Sequence, residues 1–304
     1  MHGQAAKYVN VIDNPLSGRR VLVAGATGYL GRHLVAVLSE QGSRVRALVR
    51  PGKTVAGAAE VFEGEATSVS SLRGCCDGVD LVFSALGITR QRDRGVTYED
   101  VDYRANLAVL DEAERAGVTR LGVISVADPA RFSGNPMVDA KERFIERLRS
   151  STVEGRVVRA TGFFSDMREF LDMARRGTVY LAGNGETRIN PIDGRDVARA
   201  GLKALAGDTD EHVVGGPEVL SWNEIASLAA ETWGRRARIR HVPAGLARAV
   251  LPLIRLGSPK TATTADFILR VCAADLVAPT FGRQSLGDYY RAEVRSLKRS
   301  EAPA

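Results

Sequence analysis

Val21-Leu22-Val23-Ala24-Gly25-Ala26-Thr27-Gly28-Tyr29-Leu30-Gly31 decides how this chain folds. The apolar run Val21-Leu22-Val23-Ala24 reads as a buried strand. The G-x-x-G-x-x-G turn of Gly25, Gly28 and Gly31 follows it directly, and His33-Leu34-Val35-Ala36-Val37-Leu38 continues as a helical pattern. Strand, glycine turn and helix N-terminus in that order place backbone N–H groups where a pyrophosphate sits, with no Cβ to block the turn or the ligand. The stretch therefore predicts a dinucleotide site, with Gly25, Thr27, Gly28, Tyr29, Leu30 and Gly31 around the phosphates.

Outward from this turn, strand-like runs at 20–24, 44–49, 59–63, 81–85, 121–126 and 156–159 alternate with helical patterns at 31–41, 70–75, 101–116 and 138–150. Such βαβ alternation, with short strands apolar on both faces, builds an α/β fold: a Rossmann-type, doubly wound parallel sheet. After Arg159 the alternation breaks into helix at 163–176, strand at 177–181, helix at 194–205 and strand at 212–215. Ser221 then caps a helix over 222–233, with Glu224 three residues on completing a capping box. The expected organisation is a flexible N-terminal lead over 1–17 and a nucleotide-binding domain over 18–160. A smaller, mostly helical substrate part over 161–304 is partly interleaved with the sheet.

At 304 residues, 44% hydrophobic and 26% charged, the chain has the composition of an ordinary globular protein. The formal charge is +6 and the pI near 9.4. The arginines stand among acids rather than in one basic run, which argues against a nucleic-acid partner. Three cysteines make no disulfide framework, and their use fits a reducing cytosol. The apolar stretches at 244–256 and 267–279 are interrupted by charges and prolines and fall short of a membrane span. No membrane partner and no metal site are expected, and the chain is expected to act as a monomer or homodimer. None of His2, His33, His212 or His241 has a spacing that suggests chemistry.

The second strand ends Arg46-Ala47-Leu48-Val49-Arg50-Pro51-Gly52 and carries no acid there to hold ribose hydroxyls. Arg50 instead suits a 2′-phosphate, with Arg32 and Lys53 as seconds, so NADPH is expected over NADH. Glu65 and Ala66 would reach the adenine edge, and Ala85, Leu86 and Gly87 would pass under the riboses.

With these motifs in place the chain resembles the atypical short-chain dehydrogenase/reductases, in their NmrA-like and divinyl-reductase-like branch. The resemblance rests on the glycine turn, 45–50 ending in arginine, Ser84-Ala85-Leu86-Gly87, Asp102-Tyr103-x-x-Asn106 and Ser125. Arg159-Ala160-Thr161-Gly162-Phe163-Phe164, Asn190-Pro191-Ile192 and Asp196-Val197-Ala198 complete it. It implies hydride transfer from a nicotinamide cofactor, with a Ser-Tyr-Lys set managing the proton. On that resemblance Ser125 and Lys141 are expected to be catalytic and to touch the cofactor. Asn106 is expected to hold a water or brace the backbone near the lysine, and Ala160, Gly162 and Phe163 to contact the cofactor. Tyr and Lys four apart share a helix face, but here Met137 stands four residues before Lys141.

A thioether donates no proton. Three readings follow. The enzyme reduces a ketone with another donor: Ser125, Tyr98, Tyr103, water or a hydroxyl of the substrate. It reduces a C=C bond, where conjugation changes the proton's destination. Or it turns nothing over and senses the nucleotide. Met137, Met167 and Met173 are candidates to line an apolar substrate cavity, since methionine adapts to flat ligands, and Phe164 either joins that wall or fills core. Such a cavity suits a bulky aromatic or polycyclic, polyketide-like ketone. The heavy use of Ala, Arg, Gly and Val is that of GC-rich bacterial coding, and in such a setting a reductase of this branch fits secondary metabolism such as antibiotic biosynthesis.

Overall fold

A computed structural model of the chain describes residues 15–88, 95–234 and 236–301. Residues 1–14 of the expected lead, His2 among them, lie outside the described residues. Leu16, placed in that lead, is only 3% exposed, and its carbonyl accepts the Ser43 hydroxyl at 2.9 Å. An apolar side chain that reaches the core ends the lead before it.

β1 (Arg20–Ala24) passes through the glycine turn into α1 (Tyr29–Glu40). β2 (Arg44–Val49), β3 (Glu60–Glu63) and β4 (Leu81–Ser84) follow, then α2 (Asn106–Ala116), β5 (Arg120–Val126), α3 (Pro136–Arg149) and β6 (Glu154–Ala160). The pattern at 70–75 forms only a short 3₁₀ turn, Val69–Leu72, which ends where Arg73 leaves the helical region at ψ 124°. Ahead of α2 the chain winds a π-helical turn, Glu99–Ala105, which the sequence pattern does not reveal.

The remaining elements are α4 (Phe164–Arg175), β7 (Thr178–Ala182), β8 (Arg188–Ile189), α5 (Gly194–Ala206), β9 (Glu211–Val214) and β10 (Leu220–Ser221). They are followed by α6 (Trp222–Thr232), β11 (Arg238–Val242), α7 (Ala244–Gly257), α8 (Pro259–Val271) and α9 (Leu286–Glu301). The capping box at α6 forms as the spacing predicts, with Ser221 N–H donating to Glu224 at 2.7 Å and Glu224 N–H to Ser221 Oγ at 3.2 Å.

Seven strands pair in parallel in the order β3-β2-β1-β4-β5-β6-β9. β9 and α5, from the region where alternation seemed to stop, belong to this layer: α5 packs on α1 beneath the sheet, and β9 extends its edge. Side chains alternate between faces, so Val21, Val23 and Phe83 join α1 and α5 in one core while Leu22, Ala24 and Val82 join α2 and α3 in another. A third core unites α4, α6 and α9 at the C-terminal side. Cys75 and Cys76 are buried packing residues and Cys272 is half-buried; all three are free thiols. Among the described residues no helix is long and apolar enough to cross a membrane.

Strand order reverses between β1 and β4. Ligands of open α/β sheets bind outside the carboxyl ends of the strands at that reversal. The glycine turn after β1 and the segment after β4 meet there.

Candidate functional site

Gly25 adopts φ +76°, and a Cβ on it would stand 3.1 Å from the carbonyl carbon and oxygen of Ala85. A Cβ on Gly31 would collide with the Gly25 carbonyl, so the turn closes on itself only with hydrogen at both positions. α1 then begins at Gly28 with no side-chain cap and no acid in its first turn. By contrast Asn135, Asp193, Ser221 and Ser258 cap α3, α5, α6 and α8. Uncapped N–H groups carry partial positive charge toward the reversal point and suit a pyrophosphate. Arg32 folds back to donate to the Thr27 carbonyl at 2.6 Å, which keeps a guanidinium over the turn. Leu30 is core, whereas Tyr29 is half-buried with its ring edge-on to His33 at 5.0 Å and to Phe163 at 6.0 Å. Burial pushes the Tyr29 phenol well above its usual range, helped by the charge of Asp193, so it stays protonated.

On the β2 and β3 side, Arg50 and Lys53 are exposed around a turn in which Lys53 N–H bonds the Arg50 carbonyl at 3.0 Å. Glu65 is fixed through its backbone by Ser71. Ala66 lines a cleft of about 230 Å³ with Thr67, Val96, Asp100 and Arg104. That cleft has the size for a heterocyclic base and lies where the adenine edge is expected.

Lys141 lies on α3 with its side chain 10% exposed. Its ammonium donates to the Leu86 carbonyl and sits 3.1 Å from Asp102 Oδ1, a carboxylate only 3% exposed. Ile88 N–H donates to the other oxygen of Asp102 at 3.2 Å. A Cβ on Gly87 would stand 3.0 Å from Asp102 and 3.2 Å from the ammonium, so glycine lets the strand end press against the pair. Burial raises the Asp102 carboxyl above its usual range, and Lys141 pulls it back. The π-helical turn carries this aspartate: one extra residue in a turn re-aims a side chain. Asp102 was legible only as part of a motif; its partner lies far away in the chain.

Asn106 takes the bracing role, one of the two expected of it, on the turn that carries the partner of Lys141. It is fully buried: its amide donates to the Val101 and Asp102 carbonyls, and its oxygen accepts the Ser84 hydroxyl. Two of these bonds brace the turn that holds Asp102, and the third ties that turn to the end of β4. Ser125 stands near the end of β5. Its hydroxyl donates to Glu142 at 2.6 Å, and Glu142 is clamped by both terminal nitrogens of Arg159 at 2.8 Å, with Glu211 at 2.7 Å from Arg159 Nε. A serine on that face of β5 meets the α3 residue after Lys141, not the lysine itself.

Met137 occupies the first turn of α3, half-buried against the third core. Asn135 caps this turn by accepting Met137 N–H at 3.2 Å, and its amide ties the turn to α8 through the Thr263 carbonyl at 3.1 Å and Asp266 at 2.9 Å. Of the other candidate donors, Tyr103 lies under the Arg143 guanidinium at 4.3 Å, and the Tyr98 hydroxyl is buried with no partner among the described residues.

Of the two readings for the residues after β6, cavity wall or core, the second fits Phe164 and Met167. Phe164 and Met167 are 1% and 5% exposed, Phe164 packed against Tyr289, and both fill the third core because α4 lies between α6 and α9. Ala160 is likewise core at the end of β6, with its carbonyl accepting Ala127 N–H at 2.9 Å. Gly162 and Phe163 remain at the edge, where Ile192 bonds back to the Gly162 carbonyl at 2.8 Å. The Asn190 and Asp196 motifs anchor the C-terminal segment: Asn190 bonds Gly216 and both backbone groups of Ala278, and Asp196 accepts Arg283 N–H.

A family model described as NAD(P)H-binding matches residues 25–208. The sequence is 27% identical over 232 residues to the photosystem II assembly factor Ycf39 of Guillardia theta, covering 73% of each chain. It is 29% identical over 238 residues to the (4-alkanoyl-5-oxo-2,5-dihydrofuran-3-yl)methyl phosphate reductase of Streptomyces griseus, covering 76% of this chain and 80% of that one. Among solved structures, the fold is like that of the NADPH-dependent quinone oxidoreductase QOR2 of Escherichia coli. The TM-score is 0.71 at 16% identity, over 90% of this chain and 99% of that one.

Proposed function

The chain belongs to the NAD(P)H-binding family and is an oxidoreductase of the atypical short-chain dehydrogenase/reductase type, and on that premise we propose that it reduces a bulky aromatic, polyketide-like ketone with NADPH. The observation that carries the reading is the pairing of a buried Lys141 with a methionine, not a phenol, one helical turn before it. When bound, the dinucleotide supplies the hydride. The uncapped α1 N-terminus holds its pyrophosphate, Arg50 its 2′-phosphate, and Lys141 its ribose.

Proton delivery falls to the substrate or to water. Ser125 already donates to Glu142, the Tyr98 hydroxyl is buried, and Met137 offers an apolar contact and no proton. A phenol hydrogen-bonded to the ketone of the same substrate is placed to share its proton. The second reading is reduction of a conjugated C=C bond, favoured by the Streptomyces relative, a reductase named for a 5-oxo-2,5-dihydrofuran.

A panel of aromatic polyketide ketones and conjugated alkenes, followed by loss of NADPH absorbance and product mass, tests both. An alcohol product supports the first reading and a saturated carbonyl product the second. Tight nucleotide binding with no turnover of any member overturns both in favour of a sensor. Met137→Ala should keep nucleotide binding and turnover within severalfold; abolished turnover in a folded variant rules out substrate-supplied protonation. Arg50→Ala should weaken NADPH about tenfold or more, as loss of a charge-assisted contact does, and leave NADH unchanged.

A further inference from the structure

The basic residues are spread along the chain, but their net excess over acids is local. From position 232 to 265 the sequence holds no Asp or Glu and seven Arg and Lys residues. Setting those seven aside leaves 35 of the 42 basic residues against 36 acids, so the net +6 belongs to this stretch alone. Arg238 and Arg240 on β11 and Arg248 and Arg255 on α7 are all exposed, and none of them makes an ion pair among the described residues.

The same stretch builds an outlying helix. α7 contains no buried residue. Its half-buried side chains, Ala244, Ala247, Leu251 and Ile254, recur at helical spacing, and the helix packs on α8. Leu246, Val250 and Leu253, at i, i+4 and i+7, form a separate row that is 59%, 39% and 68% exposed, and Leu256 continues it at 85%. Large aliphatic side chains gathered on one exposed face mark a contact surface.

Charge selects the partner. A second copy would bring an equally acid-free cationic stretch against the first across a two-fold axis, and like charges facing one another oppose association. An anionic lipid surface answers both features: the aliphatic row enters the acyl boundary and the guanidinium groups stay among headgroup phosphates. We propose that α7, with the basic strand β11, docks this protein on the surface of an anionic lipid bilayer. The helix lies in the interface plane and spans nothing, which agrees with the lack of a membrane-crossing helix among the described residues.

The test is co-sedimentation of the full chain with vesicles of phosphatidylcholine alone or mixed with an equal amount of phosphatidylglycerol. Binding is expected to the anionic vesicles only, weakening as salt is raised. Arg248→Gln and Arg255→Gln should each lower the partition about fivefold. Leu246→Asp/Leu253→Asp should abolish it while the thermal melt stays unchanged, because both side chains are exposed. Absence of binding to anionic vesicles, equal binding to neutral ones, or binding that survives the double aspartate variant would overturn the proposal. So would a wild-type dimer that this variant converts to monomer, which assigns the face to a second copy.

Discussion

Lys141 sits in a nearly closed place where Asp102, the Leu86 carbonyl and the Ile88 N–H together replace its water and that of its partner. Taking both ions from water is expensive, and the pair offsets that cost only while both members are present. Asp102→Leu or Lys141→Met alone should therefore destabilise the fold by about 3–5 kcal/mol, whereas the double variant should recover most of that loss. Urea denaturation of the three variants checks this; additive losses would show the pair to be independent. NADPH affinity should fall in every variant that lacks Lys141, including the stable double one. The lysine was visible through its spacing from Met137 and the family resemblance. Its aspartate was not, since a contact between a π-helical turn and α3 has no local signature.

At the scale of elements, α3 is the piece on which site and C-terminal part converge. Asn135 caps it with its oxygen and holds α8 with its amide. Asn135→Ala should cost about 2 kcal/mol, a cap plus a buried carbonyl left without its donor. Asn135→Ser should retain the cap and lose only part of that, and calorimetric melting distinguishes the two. Strands were legible because β1 and β4 are apolar on both faces, and α6 because Ser221 and Glu224 announce its start. β9 was seen as a strand, yet its place in the main sheet was not, because pairing with β6 depends on what α4, β7 and α5 leave open. The same limit left Phe164 and Met167 open between cavity wall and core, which α6 and α9 decide by enclosing them.

For the molecule as a whole, burial lowers the proton affinity of His33, with Asp193 opposing and Arg32 and Arg195 assisting; it does the same for His212, with Lys203 assisting. The unfolded chain therefore binds these protons more readily than the folded one. Stability is fully present above the ordinary imidazole range and is lost as pH falls below about 6.5. Tm should drop between about pH 7.5 and pH 5.5, and His33→Gln/His212→Gln should shrink that drop; an unchanged slope would deny the two imidazoles this role. By itself the sequence determined the glycine turn, the alternation that makes a doubly wound sheet, the family, and the missing phenol at Met137. These are written in relations between residues a few positions apart, which local sterics and periodicity enforce. Only the tertiary structure decided that Asp102 holds Lys141 and that Ser125 answers to Glu142. Those pairings join residues brought together by strand order and helix packing, and no local pattern encodes them.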